Sequence, residues 1–128
     1  MNDQQIEQEI QEKGLTAPRV TPADIEANIA SEHYFTATDG RHGAIFHETY
    51  VGRESPIDRD KDLAPLDLLT FCVLVLRNGF TVTGESACAS PENFDPEIGR
   101  KIARANAVQK IWPLMGYELK CRLTAKTE

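Results

Sequence analysis

One short stretch in the middle of the chain constrains the fold more than any other. Leu68–Leu76 is apolar except for Thr70, and Phe80–Thr83 alternates apolar residues with threonine. Between the two runs stands Asn78-Gly79, and Asn-Gly between β-prone runs is the strongest short-range hairpin signal, because a type I′ turn needs positive φ at both positions. The sequence therefore predicts an antiparallel hairpin, with a first strand that is apolar on both faces and central in a sheet.

A helix is the alternative for the same stretch. Pro65 is able to open a helix that Gly79 would close, and the length permits it. That helix would leave the β-prone run Phe80–Thr83 without a partner strand. We therefore favour the hairpin.

Two helices are predicted at the N-terminus. In the first, residues 2–13, Ile6 and Ile10 lie one turn apart and Gly14 ends the helix. Because it has only that pair of side chains to bury, we expect residues 1–20 to be loosely attached or to dock on a partner. The second helix, residues 22–32, starts from Thr21 as its N-cap, with proline at the first helical position.

The segment between the second helix and the hairpin is rich in turn-forming and polar residues. A short strand is predicted at His33–Ala37, followed by a turn at Asp39-Gly40. A further strand is predicted at Ala44–Val51, because its residue types alternate. The remainder, through Gly52–Pro56, is predicted to be a surface loop.

The C-terminal part of the chain predicts a long helix. Asp95 is its cap and Pro96 its first residue. Large and apolar residues recur at helical spacing, namely Ile98, Ile102, Ala105, Val108, Ile111 and Trp112, and a second row of small residues comprises Gly99, Ala103 and Ala107. Residues 114–124 alternate as a strand would, yet their types permit a kinked helical continuation after Pro113, which we favour. We expect Trp112 to be buried between this helix and the sheet.

These elements predict a single α+β domain over residues 1–128. It comprises two N-terminal helices, a small antiparallel sheet with a central hairpin, and a long C-terminal helix packed on the sheet. A composition of 41% hydrophobic and 27% charged residues is ordinary for a globular domain. The longest apolar run is too short to span a bilayer, so no membrane partner is expected.

The distribution of charge suggests which partners the protein has. A net charge of −6 argues against nucleic-acid binding, which depends on neutralising phosphates. Residues 1–32 carry seven acids and two bases, whereas the chain from residue 100 carries seven bases and two acids. This asymmetry, the small-residue row and the open sheet edges together predict a symmetric homodimer, with the first helix lying on a neighbour's main helix.

Three bases near the start of the main helix are the candidate ligand-binding residues. Arg100, Lys101 and Arg104 lie within about one turn, where an anion would also find helix-end N–H groups. Asp95 and Glu97 occupy the same end and oppose an anion there. An ordinary ion pair between Glu97 and Lys101 is the competing explanation.

Other chemistry-bearing residues form no recognisable motif. His33, His42 and His47 match no spacing of a helix-borne metal site, and Ser86 and Cys88 lie outside any nucleophile motif. Cys72, Cys88 and Cys121 form no C-x-x-C pair and are expected to be buried, reduced thiols in a reducing compartment. We therefore predict no metal, no cofactor and no recognised catalytic residue.

A family resemblance rests on three blocks of sequence. They are TPADIEANIASEHYFTA (Thr21–Ala37), LTFCVLVLRNG, and GFTVTGESACASPENFDPEIGRKIARANAVQKIWPLMGYEL (Gly79–Leu119). Together they resemble the gene-49/gene-66 family of uncharacterised tailed-phage proteins. The resemblance implies a phage or prophage gene product in the cytoplasm of a bacterial host. It brings no activity and no catalytic residue.

Three function classes follow from these observations. The first is a phage accessory protein, not an enzyme, that binds a host bacterial protein. The alternative is a binder of a small anionic or nucleotide-like ligand through Arg100 and Arg104. An enzyme of unrecognised type is the third and least favoured.

Overall fold

A computed structural model describes residues 2–47 and 64–127. In chain order the elements are α1 (Asp3–Glu12), α2 (Pro22–Ala27), β1 (Ile29–Thr36), α3 (Ala37–Phe46), a 3₁₀ turn (Ala64–Leu68), β2 (Leu69–Leu76), β3 (Thr81–Ala87), a second 3₁₀ turn (Pro91–Asn93) and α4 (Pro96–Thr127). The three strands form one antiparallel sheet, and α4 packs across it. The predicted α+β architecture is confirmed.

The predicted hairpin forms the middle and one edge of this sheet. The strand order is β1-β2-β3, so β2 is central, and Cys72 in β2 lies opposite Gly84 in β3. The turn differs in detail from the predicted type I′ form. Gly79, at φ +88°, donates to the carbonyl of Leu76 at 2.9 Å, and Leu76 donates to the carbonyl of Phe80 at 2.8 Å. This is a three-residue hairpin loop that ends in a left-handed glycine.

The second helix is shorter than predicted, and the strand that follows it is longer. α2 ends at Ala27, whereas residues 29–32, predicted to be helical, open β1. Ile29 pairs with Leu76 and is buried, and the Arg77 amide donates to the carbonyl of Asn28 at 2.9 Å. Pairing with β2 and burial of Ile29 therefore outweigh the local preference for helix.

A helix, α3, replaces the turn predicted at Asp39-Gly40 and the start of the strand predicted at Ala44–Val51. Thr36 and Asp39 form a reciprocal capping box, in which each side chain accepts from the other residue's amide at 2.9–3.1 Å. This cap supplies two partners at a helix start that the chain's glycines would otherwise disfavour. Residues 48–51 and the loop predicted at Gly52–Pro56 lie outside the described residues.

Helix α4 packs on the sheet with a row of small residues that ends at Ile111. Gly99, Ala103, Ala107 and Ile111 are buried, whereas Ile98 and Ile102, which the apolar stripe placed inside, are exposed. The reason is Gly84 of β3, which has no side chain to hold the helix away. The α4 backbone comes so close to it that only small residues fit between helix and strand.

The long helix continues through Pro113 to Thr127, as favoured from the sequence, and the alternative strand at 114–124 does not form. Thirty-two residues make it about 48 Å long. Trp112 is half-buried and packs against the core, and its Nε1 donates to the Asp3 carboxylate of α1 at 3.1 Å. The tryptophan is therefore less buried than predicted, and α1 also contacts it.

No helix in the described part of the chain has both the length and the apolar character that crossing a membrane requires.

Candidate functional site

An open groove of about 880 Å³ lies at the end of the molecule where the β2–β3 turn meets the far half of α4. Leu76, which is buried, and Met115, which is half-buried, contribute its apolar floor. Phe80 and Leu114 line it while remaining 57% and 40% exposed. Residues 18–28 complete the groove on the side of α2.

Two features of the chain place apolar side chains at this end. Ile111 is the last α4 residue buried against the sheet core, and α4 continues beyond it for about 24 Å. The hairpin turn is held by the Asn78 side chain, which accepts from the amide of Phe80 at 2.9 Å. The turn and the projecting helix therefore present Phe80, Leu114 and Tyr117 outward, and Tyr117 is 76% exposed.

The rim of the groove carries three arginines and two acids. Arg77 is fixed there because its Nε donates to the carbonyl of Ala27 at 3.0 Å. Arg122 pairs with Glu118 one turn earlier in α4 at 2.6 Å, and both side chains are largely exposed. Arg19 and Asp24 complete the charged set. The groove is apolar inside with a modest excess of positive charge at its edge.

Helix α1 docks beside this groove on the same molecule. Glu7 accepts from both terminal nitrogens of Arg19, with Nη2 at 2.7 Å, and this guanidinium lowers the pKa of Glu7 to about 2. Asp3 accepts from Trp112 and from Gln109 at 3.1 and 3.3 Å. Between α1 and α4 lies a small cavity of about 230 Å³, lined in part by Ile6, Ile10 and Val20.

The predicted ligand residue Arg104 is engaged by two carboxylates. Its Nη1 and Nη2 donate to Glu26 at 3.0 and 2.7 Å, and its Nε donates to Glu32 at 2.8 Å. Tyr34 donates to the same Glu32 carboxylate at 2.7 Å. The bond from Arg104 first, and that from Tyr34 second, lower the pKa of Glu32. Arg104 thus ties α4 to α2 and β1.

The other two predicted ligand residues lie on the exposed surface of α4. Lys101 pairs with Glu97 at 3.3 Å, and Arg100 is exposed. Asp95 accepts from the amides of Glu97 and Ile98 at 2.9 and 3.2 Å, so two of the helix-end N–H groups have a partner. The structure brings the three bases to neighbouring turns without converging them on one point, and anion binding by them stays a prediction.

The histidines, cysteines and Ser86 are dispersed. Within residues 2–47 and 64–127 no three metal-ligating side chains come together. The ring of His33 bonds to Ser31 at 3.0 Å, and the Cys88 thiol donates to the carbonyl of Ser90 at 3.2 Å. Cys72 is buried as predicted, and burial raises the pKa of its thiol. Cys88 is only half-buried and Cys121 is exposed, so the prediction of buried thiols was wrong for these two. Ser86 lies opposite Thr70 in the β2–β3 ladder.

Two of the three features behind the predicted dimer are used within one chain. Ala103 and Ala107 of the small-residue row are fully buried against the sheet. The acidic first helix lies on its own α4, through Asp3, rather than on a neighbour's. The open edges of β1 and β3 still support self-association, which stays a prediction.

Sequence reasoning missed the groove because its walls are distant in the chain. Residues 18–28, 76–80 and 114–122 meet only after the sheet and α4 are assembled. One signal was present, since Leu114, Met115 and Leu119 continue an apolar face beyond the residues needed to cross a small sheet. The sequence also predicts the turn that presents Phe80, but it does not indicate that Phe80 lies opposite the far half of α4.

A profile of the phage protein (N4 Gp49/phage Sf6 gene 66) family matches residues 20–123. The chain belongs to this family. The match spans α2 to α4 and therefore includes most of the groove, the Arg104 network and the whole sheet; α1 lies outside it. No curated protein and no solved structure matches the chain.

Proposed function

We propose that this phage protein is a non-enzymatic accessory factor that binds a host protein in the bacterial cytoplasm. The observation that carries the proposal is the clustering of exposed large apolar side chains at the end of α4. Phe80 and Leu114 line the groove, and the exposed Tyr117 lies about one turn beyond Leu114 on α4. Apolar side chains gathered around a concave surface are typical of protein interaction sites.

The cluster differs from the two exposed isoleucines in the first half of α4. Ile98 and Ile102 lie on the outer face of α4, and neither lines any of the grooves described above. At the α4 end the apolar residues adjoin fixed arginines, which is the combination of apolar centre and charged rim seen in protein interfaces. Family membership supports the setting, since a phage protein acts inside an infected bacterium.

Co-purification from the bacterial host tests this function. The tagged wild-type chain, Leu114→Glu and Ile102→Glu are produced in the host at equal levels and purified under identical conditions. Both substitutions place the same charge at an exposed α4 position, but only Leu114 lines the groove. We expect one host protein to accompany the wild type and Ile102→Glu and to be absent with Leu114→Glu.

A result in which no host protein accompanies the wild type above background would contradict the proposed function. A host protein that accompanies all three forms equally would support binding but would assign it to another surface. Circular dichroism of the purified variants verifies that each is folded.

Binding of a nucleotide-like ligand is the alternative function predicted from the sequence. No contact among the described residues supports it. An anion at Arg104 would compete with the carboxylates of Glu26 and Glu32, which already face its guanidinium. This function therefore stays a prediction rather than a second proposal.

A further inference from the structure

We infer that the groove at the α4 end takes an amphipathic helix of net negative charge from the host protein. The inference rests on the proposed function and names the chemistry of the partner at that site. The chain already binds a helix of this kind, α1, on a surface that adjoins the groove, and arginines lie at the rim of the groove.

The first step is that α1 is itself an acidic amphipathic helix docked on the neighbouring surface. From Asp3 to Glu12 it carries four acids and no base, with Ile6 and Ile10 as its apolar pair. It is held by carboxylates, through Glu7 to Arg19 and through Asp3 to Trp112. This side of α4 therefore already binds an acidic amphipathic helix.

The second step is that the α1 cradle and the groove share residues. Arg19 and Val20 line both the small cavity beneath α1 and the larger groove. The larger groove has the same character, with apolar side chains such as Leu76 and Leu114 in its walls and arginines at its edge. At about 880 Å³, against about 230 Å³ beneath α1, it offers room for larger side chains than those of α1.

The third step concerns which charges at the rim can be exchanged. Arg122 pairs with Glu118 across one turn of an exposed helix, and such surface pairs contribute little to stability. A carboxylate from a partner can therefore replace Glu118 at little cost. Arg77 is already oriented by the Ala27 carbonyl, so its guanidinium is positioned before binding. Beyond Pro113, α4 also carries Lys120 and Lys126, which add positive charge nearby.

A selection from a random 16-residue peptide library displayed on yeast tests the inference. The full-length protein serves as the bait, and each enriched peptide is then synthesised and its Kd measured. We expect enriched peptides with a net negative charge and apolar residues at i, i+3 or i+4 and i+7, which is helical spacing. Leu114→Glu and Arg122→Glu should each weaken their binding about tenfold or more, a loss typical of an interface anchor.

The matched control is Ile102→Glu, on the outer face of the same helix, which should leave the Kd within about twofold, as expected of a position outside the interface. Enrichment of basic or uncharged peptides, binding that the groove variants do not alter, or no enrichment at all would each overturn the inference. So would a dimer in light scattering that Leu114→Glu converts to monomer, because a second copy would then occupy the groove.

Failure of this inference can be distinguished from failure of the proposed function. A host protein that co-purifies with the wild type and survives the groove variants leaves the function standing and removes the inference. If acidic peptides bind the groove while no host protein co-purifies, the ligand chemistry inferred for the groove stands and the proposed function is removed.

Discussion

Gly84 in β3 lies directly beneath the backbone of Ala103 in α4. A β-carbon placed on Gly84 would stand 2.1 Å from the Ala103 carbonyl oxygen and 2.3 Å from the Ala107 nitrogen. No side chain fits there without moving the helix. The position of α4, and with it the direction in which its far half projects to form the groove, therefore depends on this one glycine.

Replacing Gly84 with alanine should destabilise the fold by about 2–3 kcal/mol, because an inserted carbon in a packed contact forces backbone shifts. The free energy of unfolding from urea denaturation measures the change. The matched control is Gly116→Ala in the exposed far half of α4, where nothing lies within 4 Å of the added carbon. That substitution should stabilise the protein by about 0.5–1 kcal/mol through helix propensity. An unchanged stability in Gly84→Ala would contradict the close contact.

Removal of the buried Thr70 hydroxyl is expected to make the protein more stable. Thr70 is 3% exposed on the α4 face of β2, and its Oγ1 has no hydrogen-bond partner among the described residues. Thr70→Val keeps the shape and removes the unsatisfied group, so it should raise the free energy of unfolding by about 1 kcal/mol. Thr70→Ser, which keeps the hydroxyl and loses the methyl group, should lower it. A Thr70→Val variant less stable than wild type would mean that the hydroxyl has a partner.

The elements that the sequence predicted well are those with a local physical cause. Thr21 caps α2, and Gly79 adopts the positive φ of its turn. Each feature is indicated by the few residues around it in the sequence. The errors lie where distant contacts decide. Residues 29–32 become strand because β2 supplies their hydrogen bonds. Ile98 and Ile102 of α4 face outward because Gly84, distant in the chain, brings the helix so close that small residues must face the sheet there.

The candidate site was less predictable than the fold for the same reason. Its place one turn from Arg100 near the start of α4 predicts a ligand role for Arg104, whereas its partners, Glu26 and Glu32, lie more than seventy positions earlier and give no local sign of pairing. The capping box of Thr36 and Asp39, in contrast, has a spacing typical of a helix start, and this local signal outweighs the turn preference of Asp39-Gly40.

The Glu7–Arg19 pair predicts that α1 detaches in acid. The pKa of Glu7 falls from 4.5 to about 2 in the folded protein, so the pair stabilises docking above pH 4.5 and this contribution is lost as the pH falls toward 2. Trp112 lies under α1, so its fluorescence emission should shift to the red over that range. Arg19→Gln should show a redder emission at pH 7 and a smaller acid change. Glu9→Gln, which alters an exposed pair of the same helix, should behave as wild type.

Arg104 provides a test that separates a structural role from a ligand role. Arg104→Met leaves Glu26 and Glu32 facing each other without their cation, and should cost about 1–2 kcal/mol of stability, discounted for the partial exposure of the carboxylates. Lys101→Met removes only an exposed pair and should stay within about 0.5 kcal/mol. If Arg104→Met were neutral in urea denaturation and abolished nucleotide-induced thermal stabilisation, the ligand prediction would be favoured instead.

Photo-crosslinking in the living host tests the central claim most directly, namely that a host protein binds where the hairpin turn meets α4. p-Benzoylphenylalanine replaces Phe80, which lines the groove, or Phe46 of α3, which is more exposed but lies outside the residues that line it. Both are conservative exchanges of an exposed phenylalanine. The account predicts a covalent adduct with a host protein, identified by mass spectrometry, from position 80 and none from position 46. No adduct from position 80, or the same adduct from both positions, would contradict it.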